Sequence, residues 1–205
     1  MLFSVCKQFP EVTDGKIEVV PFLEASKEIV KFVEILGTVF SPVKNDISGN
    51  IEKLSKIHHS DEAKFSTLNG IVEHELPLER QHQIGIDALL WLKRALEYVN
   101  VFLSCFAEDG KQPPCSENMS AFFHKAYEEK LKPFHGWIVQ KVFGLIVIAA
   151  PSRSSLLKLL SGGKDPVPEE EIIKDIEQFL IGLNSNIDTI NRLYVTHNLH
   201  FNHKV

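Results

Sequence analysis

Apolar residues recur along this chain with a helical period and almost never alternate. In "FLEASKEIVKFVEIL" (22–36), Phe22, Ile29, Phe32, Val33 and Leu36 fall at helical spacing. The clearest stretch is "IGIDALLWLKRALEYVNVFLSCF" (84–106). There Ile84, Ala88, Trp91, Leu92, Ala95, Leu96, Val99, Phe102, Leu103 and Phe106 follow steps of three and four. The apolar arc is wide, which predicts a central helix contacted on more than one side. "HGWIVQKVFGLIVIAA" (135–150) is nearly all apolar in its second half and predicts another buried helix. Its β-branched Ile146-Val147-Ile148 run continues the helical pattern rather than starting a strand.

Breaker residues divide the helices. "EDGKQPPCSEN" (108–118) reads as a loop, with Gly110 and the Pro113-Pro114 pair. Pro133 and Pro151 each stop the helix before them. "SGGKDPVP" (161–168) is a further loop, and "EEEIIKDIEQFLIGL" (169–183) opens with three acids, as a helix N-terminus prefers. A last helix is predicted from about Asn184 to Leu199. The expected class is all-α, about eight helices in one domain over residues 1–205.

Composition narrows the function classes. With 205 residues and 44% hydrophobic residues, the chain is long enough to bury a sizeable core. A net charge of −5 with no block of like charges argues against sequence-independent nucleic-acid binding, which needs a basic face. Three cysteines, Cys6, Cys105 and Cys115, without CxxC spacing point to a reducing compartment. The start lacks a basic n-region, and the longest apolar run, "VFGLIVIAA" (142–150), is under half a membrane span, so a cytosolic protein is expected. Fourteen Phe suit either an ordinary core or an oily cavity.

Candidate chemistry begins at "NDISGNIEKL" (45–54), where Ser48, Gly49 and Asn50 interrupt a helical pattern with poor helix formers. If the helix starts at about Pro42–Asn45, Ile47, Ile51 and Leu54 form a core stripe. Asp46, Asn50 and Lys53 then form a second stripe about 100° away. A carboxylate, an amide and an ammonium in one row, beside a glycine that leaves room, suit a ligand rich in hydroxyls or amides. Alternatively Asp46 or Ser48 is an N-cap and the helix starts at Gly49 or Asn50. Trp91 is placed for core packing or for stacking on a sugar, and His135, just after Pro133, for a structural hydrogen bond or a ligand contact.

Enzyme signatures are missing: there is no GxSxG, no Gly-rich phosphate loop and no HExxH, since His74-Glu75 lacks the second His. His197, His200 and His203 stand three apart and His58-His59-Asp61 form another cluster, but a zinc site is not expected from them, and no cofactor is expected.

Three strings taken together, "FSPVKNDISGNI" (40–51), "ALLWLKR" (88–94) and "HGWIVQKVF" (135–143), resemble the glycolipid transfer protein family. "PFLEA", "AAP" and the terminal "KV" agree, in the same order along almost the whole chain. The resemblance implies a two-layer helical sandwich holding one sphingolipid, with the headgroup at the surface and the chains in an apolar tunnel. It implies that Asp46, Asn50 and Lys53 bind sugar hydroxyls and that Trp91 stacks under the first sugar. Asp46 and His135 would bind the ceramide amide, and Trp137, Phe40, Pro42 and Val43 would meet the bilayer. The implied ligands are glucosyl-, galactosyl- or lactosylceramide, carried without catalysis between membranes the protein touches transiently.

Other readings stay open here. The same pocket could serve a glycolipid sensor or adaptor, or a ceramide-1-phosphate carrier. Asn50 and Trp91 depart from the basic pocket of the phosphate branch, and Arg94 is placed to brace Asp46 or to pack at the rim. "VKFVEILGT" (30–38) overlaps a region where relatives carry a motif for an endoplasmic-reticulum membrane protein, which makes such a protein a candidate partner. The chain also departs from the family pattern at Ser152 and His203, where tyrosines are usual.

Overall fold

The computed structural model describes residues 2–162 and 167–201, so part of the 161–168 loop and all of His203 lie outside the described residues. Among the described residues there are nine α-helices and no strand. They are α1 (Leu2–Val5), α2 (Val19–Ile35), α3 (Ser41–Ser60), α4 (Leu68–Glu75), α5 (Ile84–Gly110), α6 (Ser120–Lys130), α7 (Trp137–Ile148), α8 (Arg153–Leu160) and α9 (Glu169–Thr196).

The long α5 is the hub. It packs against α3, α4, α6 and α9, while α2 covers α3, and α1 and α8 lie on α9. Leu89, Leu90, Leu92, Leu96, Val99, Phe102, Leu103 and Phe106 are all buried, as the wide apolar arc predicts. Ile84, the first residue of α5, is exposed. The helix start is fixed from outside: both carboxylate oxygens of buried Glu75, on α4, accept from the backbone N–H groups of Gly85 and Ile86 at 2.9 Å. Two of the donors that every helix leaves unpaired are thereby satisfied. The Tyr194 hydroxyl donates to the Ile86 carbonyl at 2.6 Å and ties α9 to the same turn.

Two predicted features are corrected. The helices expected at 169–183 and 184–199 form one helix, α9. Asn184, Ser185 and Asn186 are poor helix formers, but Asn186 is buried and donates to the Pro10 and Gly182 carbonyls at 2.8 and 2.9 Å, so tertiary contacts carry the helix through. The second correction is α7, whose apolar continuity predicts burial. Only Phe143, Ile146 and Val147 of its twelve residues are buried. Trp137 is 68%, Leu145 67% and Ile148 79% exposed. The helix is covered on one side only, so an element that is apolar all round presents a greasy face to solvent.

Phenylalanines run through the core as a connected series. Phe3 meets Phe32 and Phe179, Phe32 meets Phe102, and Phe102 stacks on Phe123 with centroids 4.0 Å apart. Phe123 meets Phe40. The rings fill the interior, so their abundance reflects core packing in this state. Ser152, at the usual Tyr position, has a local reason: its hydroxyl accepts from the Ser155 N–H and caps α8.

Candidate functional site

Helix α3 begins at Ser41, with Pro42 in its first turn. Asp46 is therefore well inside the helix, and neither it nor Ser48 is the N-cap. A Cβ built on Gly49 would meet no atom within 4 Å. The three polar residues form one chain of hydrogen bonds. Lys53 Nζ donates to Asn50 Oδ1 at 3.4 Å, and Asn50 Nδ2 donates to the Asp46 carbonyl at 3.0 Å and reaches its carboxylate at 3.5 Å. Asn50 is buried and spends its amide within the row, while Asp46 and Lys53 stay open to solvent. Asp46 is exposed at the rim, yet the protein packed around it partly desolvates the carboxyl and raises its pKa; Lys53 and Asn50 oppose this only in part.

Across the mouth lie Trp91, on α5, and His135, between a 3-10 turn and α7. Their rings are nearly parallel, 19° apart, with centroids separated by 6.2 Å. His135 Nδ1 lies 3.2 Å from the Tyr127 hydroxyl, and its backbone carbonyl accepts from Gln140 Nε2 at 2.8 Å. Burial, with Arg94 nearby, lowers the imidazole pKa.

Asp46, Asn50, Lys53, Trp91 and His135 line one cavity of about 380 Å³, together with Pro42 and Val43. The rest of its lining is apolar or aromatic: Ala95, Tyr98, Leu131, Val139, Val142, Phe143 and Ile146. A larger, shallow groove of about 800 Å³ lies between α2 and α3 and includes none of these polar residues. The smaller cavity is where the candidate chemistry converges: polar acceptors and donors at the rim, an indole at the side, and hydrocarbon behind.

The family model for glycolipid transfer protein (GLTP) matches residues 17–162. The chain belongs to the glycolipid transfer protein family. It is 37% identical over 203 residues to the glycolipid transfer protein of Danio rerio, spanning 97% of this chain and 96% of that one. It is 38% identical over 200 residues to that of Xenopus tropicalis, spanning 95% of each. Its structure superposes on that of FAPP2, described as selecting simple glycosphingolipids using the GLTP fold. The TM-score is 0.89 at 28% identity, covering 100% of this chain and 99% of the other.

Within this GLTP-family site, Phe40 departs from its sequence-based placement, and of the two placements open to Arg94 the one found is packing at the rim. Phe40, expected at the bilayer, is 2% exposed and packs against Phe123; the 3-10 turn Thr38–Phe40 rotates its ring into the core. Arg94 does not brace Asp46. It donates to the Phe201 carbonyl at 2.6 Å, and its guanidinium lies 3.4 Å from the Phe134 ring centroid and 4.8 Å from that of Trp91. The 30–38 stretch lies in α2 and the turn after it, with Phe32 and Val33 buried. Tyr98 and Tyr127 are site residues that the helical pattern did not single out. Tyr98 follows Trp91 by seven residues and shares its face, a signal present in the sequence. Tyr127 carries no such signal, because its partner His135 lies beyond a helix break.

Proposed function

We propose that this chain, acting as one lipid-binding domain, carries single glycosphingolipids between membranes without making or breaking a covalent bond. The observation that supports this most directly is the convergence of the Asp46–Asn50–Lys53 row, Trp91 and His135 on the mouth of one cavity whose depth is apolar. The Asp46 carboxylate accepts from sugar hydroxyls and the ceramide amide N–H, by charge-assisted bonds that are the stronger kind. Lys53 donates to other sugar oxygens, and the Trp91 indole supplies a flat face for the pyranose. His135 donates through Nε2 to the amide carbonyl, with Nδ1 already held by Tyr127. Glucosyl-, galactosyl- and lactosylceramide all fit this chemistry. A ceramide-1-phosphate headgroup fits less well, since Arg94 is committed to Phe201 and the aromatic rings.

Energetics set the need for a carrier. A two-chain lipid hides roughly 30 methylenes, so unassisted desorption faces an apolar cost of about 20 kcal/mol or more. The chains enter beside α7, of whose twelve residues only Phe143, Ile146 and Val147 are buried. Its exposed Trp137, Ile138, Val142, Leu145 and Ile148, with Pro42 and Val43 beside the mouth, form the face that docks on the bilayer. No helix among the described residues is long and apolar enough to cross a membrane. The protein works from the cytosol as a transient visitor to membrane surfaces. The test is movement of fluorescent glucosylceramide from donor to acceptor vesicles, with thin-layer analysis of the recovered lipid. Transfer of unaltered lipid supports the proposal; no transfer, or cleaved lipid, refutes it.

A further inference from the structure

One polar group in the cavity wall has no task in the site so far. Tyr98 is 4% exposed, and its hydroxyl has no hydrogen-bond partner among the described residues. The residue lines the same cavity as Asp46, Trp91 and His135, with its hydroxyl oxygen set just behind the wall, and its ring meets Phe143 at 90° with centroids 5.5 Å apart. The surrounding wall, Leu131, Val139, Val142 and Ile146, supplies no acceptor. A buried hydroxyl left unpaired weakens the fold, and phenylalanine would fill the same space without that cost. Burial also drives the phenol pKa far above its ordinary value, so the group is a neutral donor and acceptor at every physiological pH.

We propose that the Tyr98 hydroxyl selects lipids carrying an extra hydroxyl on their hydrocarbon part, close below the ceramide amide. Two sources supply this group: a 2-hydroxy acyl chain and a sphingoid base with an additional chain hydroxyl. This rests on the glycosphingolipid reading of the cavity and refines its ligand class. The position follows from helix geometry. Trp91, Ala95 and Tyr98 stand at i, i+4 and i+7 on α5 and all face the cavity. Tyr98 is thus about 10 Å further along the axis than Trp91, and helical side chains lean toward the N-terminus, which returns the phenol part of the way. A small movement of the wall then brings the hydroxyl to the lipid below the sugar plate, at about the depth of the amide and the first chain carbons. A plain chain leaves the hydroxyl unpaired, and a hydroxylated chain satisfies both partners. Sites that hold a buried polar group discriminate in this way against ligands that leave it unmet.

The test loads the purified protein from vesicles holding equal amounts of glucosylceramide with a plain acyl chain and with a 2-hydroxy acyl chain. A parallel arm uses the additional base hydroxyl. Bound lipid is counted by native mass spectrometry. The wild type is expected to favour one or both hydroxylated lipids by about two- to tenfold, the range that one hydrogen bond spans. In Tyr98→Phe the ratio falls to near one, and the lipid-free variant melts at the same or a higher temperature. A wild-type ratio near one in both arms overturns the proposal without reference to any variant. An unchanged ratio in Tyr98→Phe overturns it too, as does a lower melting temperature, which would reveal a protein partner for the hydroxyl. Loading without discrimination sinks this inference alone, whereas a wild type that loads no glucosylceramide sinks the parent reading with it.

Discussion

The Tyr127 hydroxyl lies 3.2 Å from Nδ1 of His135. Tyr127 is buried, its ring stacked on Phe143 with centroids 3.8 Å apart, so the hydroxyl is held in place. With the phenol donating, Nδ1 is the acceptor and Nε2 keeps its proton, which leaves a neutral imidazole as a hydrogen-bond donor. The lowered His135 pKa agrees with a ring kept neutral by burial.

A pH dependence follows. An unfolded histidine takes up its proton near pH 6.5. His135 does so at lower pH when folded, so between the two values the unfolded chain binds more protons. Stability should then decline as pH falls below about 6.5, until the folded value is passed. His135→Gln should lose part of this decline; His200, whose pKa is also lowered, keeps the rest. Urea melts at pH 7.5 and 5.5 measure it, and identical slopes in the two proteins would contradict the assignment.

Asp46 has the opposite sign. Its pKa is raised, so the ionised carboxylate costs stability at neutral pH, and that cost vanishes as pH falls through the raised folded value. Asp46→Asn should melt no lower than wild type at pH 7, yet transfer glycolipid about tenfold more slowly or worse, the cost of a lost charge-assisted bond. Asp46→Val and Trp91→Ala should abolish transfer with the fold intact. Vesicle transfer and circular dichroism on the same samples separate the two effects.

The exposed α7 face makes a separable prediction. Leu145→Ser and Ile148→Ser remove side chains that are mostly exposed, so melting temperature should hardly move. Each should weaken binding to neutral vesicles by about tenfold or more, as expected from about 1.5–3 kcal/mol per fully buried side chain. Trp137→Ala should act likewise. Co-sedimentation with liposomes is the readout, and equal binding by all variants would remove α7 from the docking surface.

Two glycines test the local packing. Gly49→Ala places a methyl in open space inside a helix and should stabilise by about 0.5–1 kcal/mol. Gly49→Leu should slow transfer by crowding the approach to Asp46 and Asn50. Gly85→Ala, in contrast, puts its Cβ 2.6 Å from Ile71 Cγ2 and 3.0 Å from Glu75 Oε1, and should destabilise by about 1–3 kcal/mol. Thermal unfolding of Gly49→Ala and Gly85→Ala decides these signs, and vesicle transfer decides the outcome for Gly49→Leu.

Much of the fold was legible because helical periodicity is local: α2, α3 and α5 start and stop close to where spacing and breakers place them. The α9 join was not, because Asn186 finds its acceptor in Pro10, at the far end of the chain. Apolar continuity in α7 reports a preference for hydrocarbon without saying whether protein or membrane supplies it. In the site, the 46–50–53 row was readable from one helix and its spacing. Arg94's attachment to Phe201 and Tyr127's hold on His135 were not, since each joins segments that meet only in three dimensions.

The stacked phenylalanines carry a final consequence. Phe3, Phe32, Phe102 and Phe123 are not among the residues that line the cavity, so the rings back its wall without competing for its contents. They act as a keel. Damage along that keel should unsettle the whole body, while selectivity is decided elsewhere, at the rim.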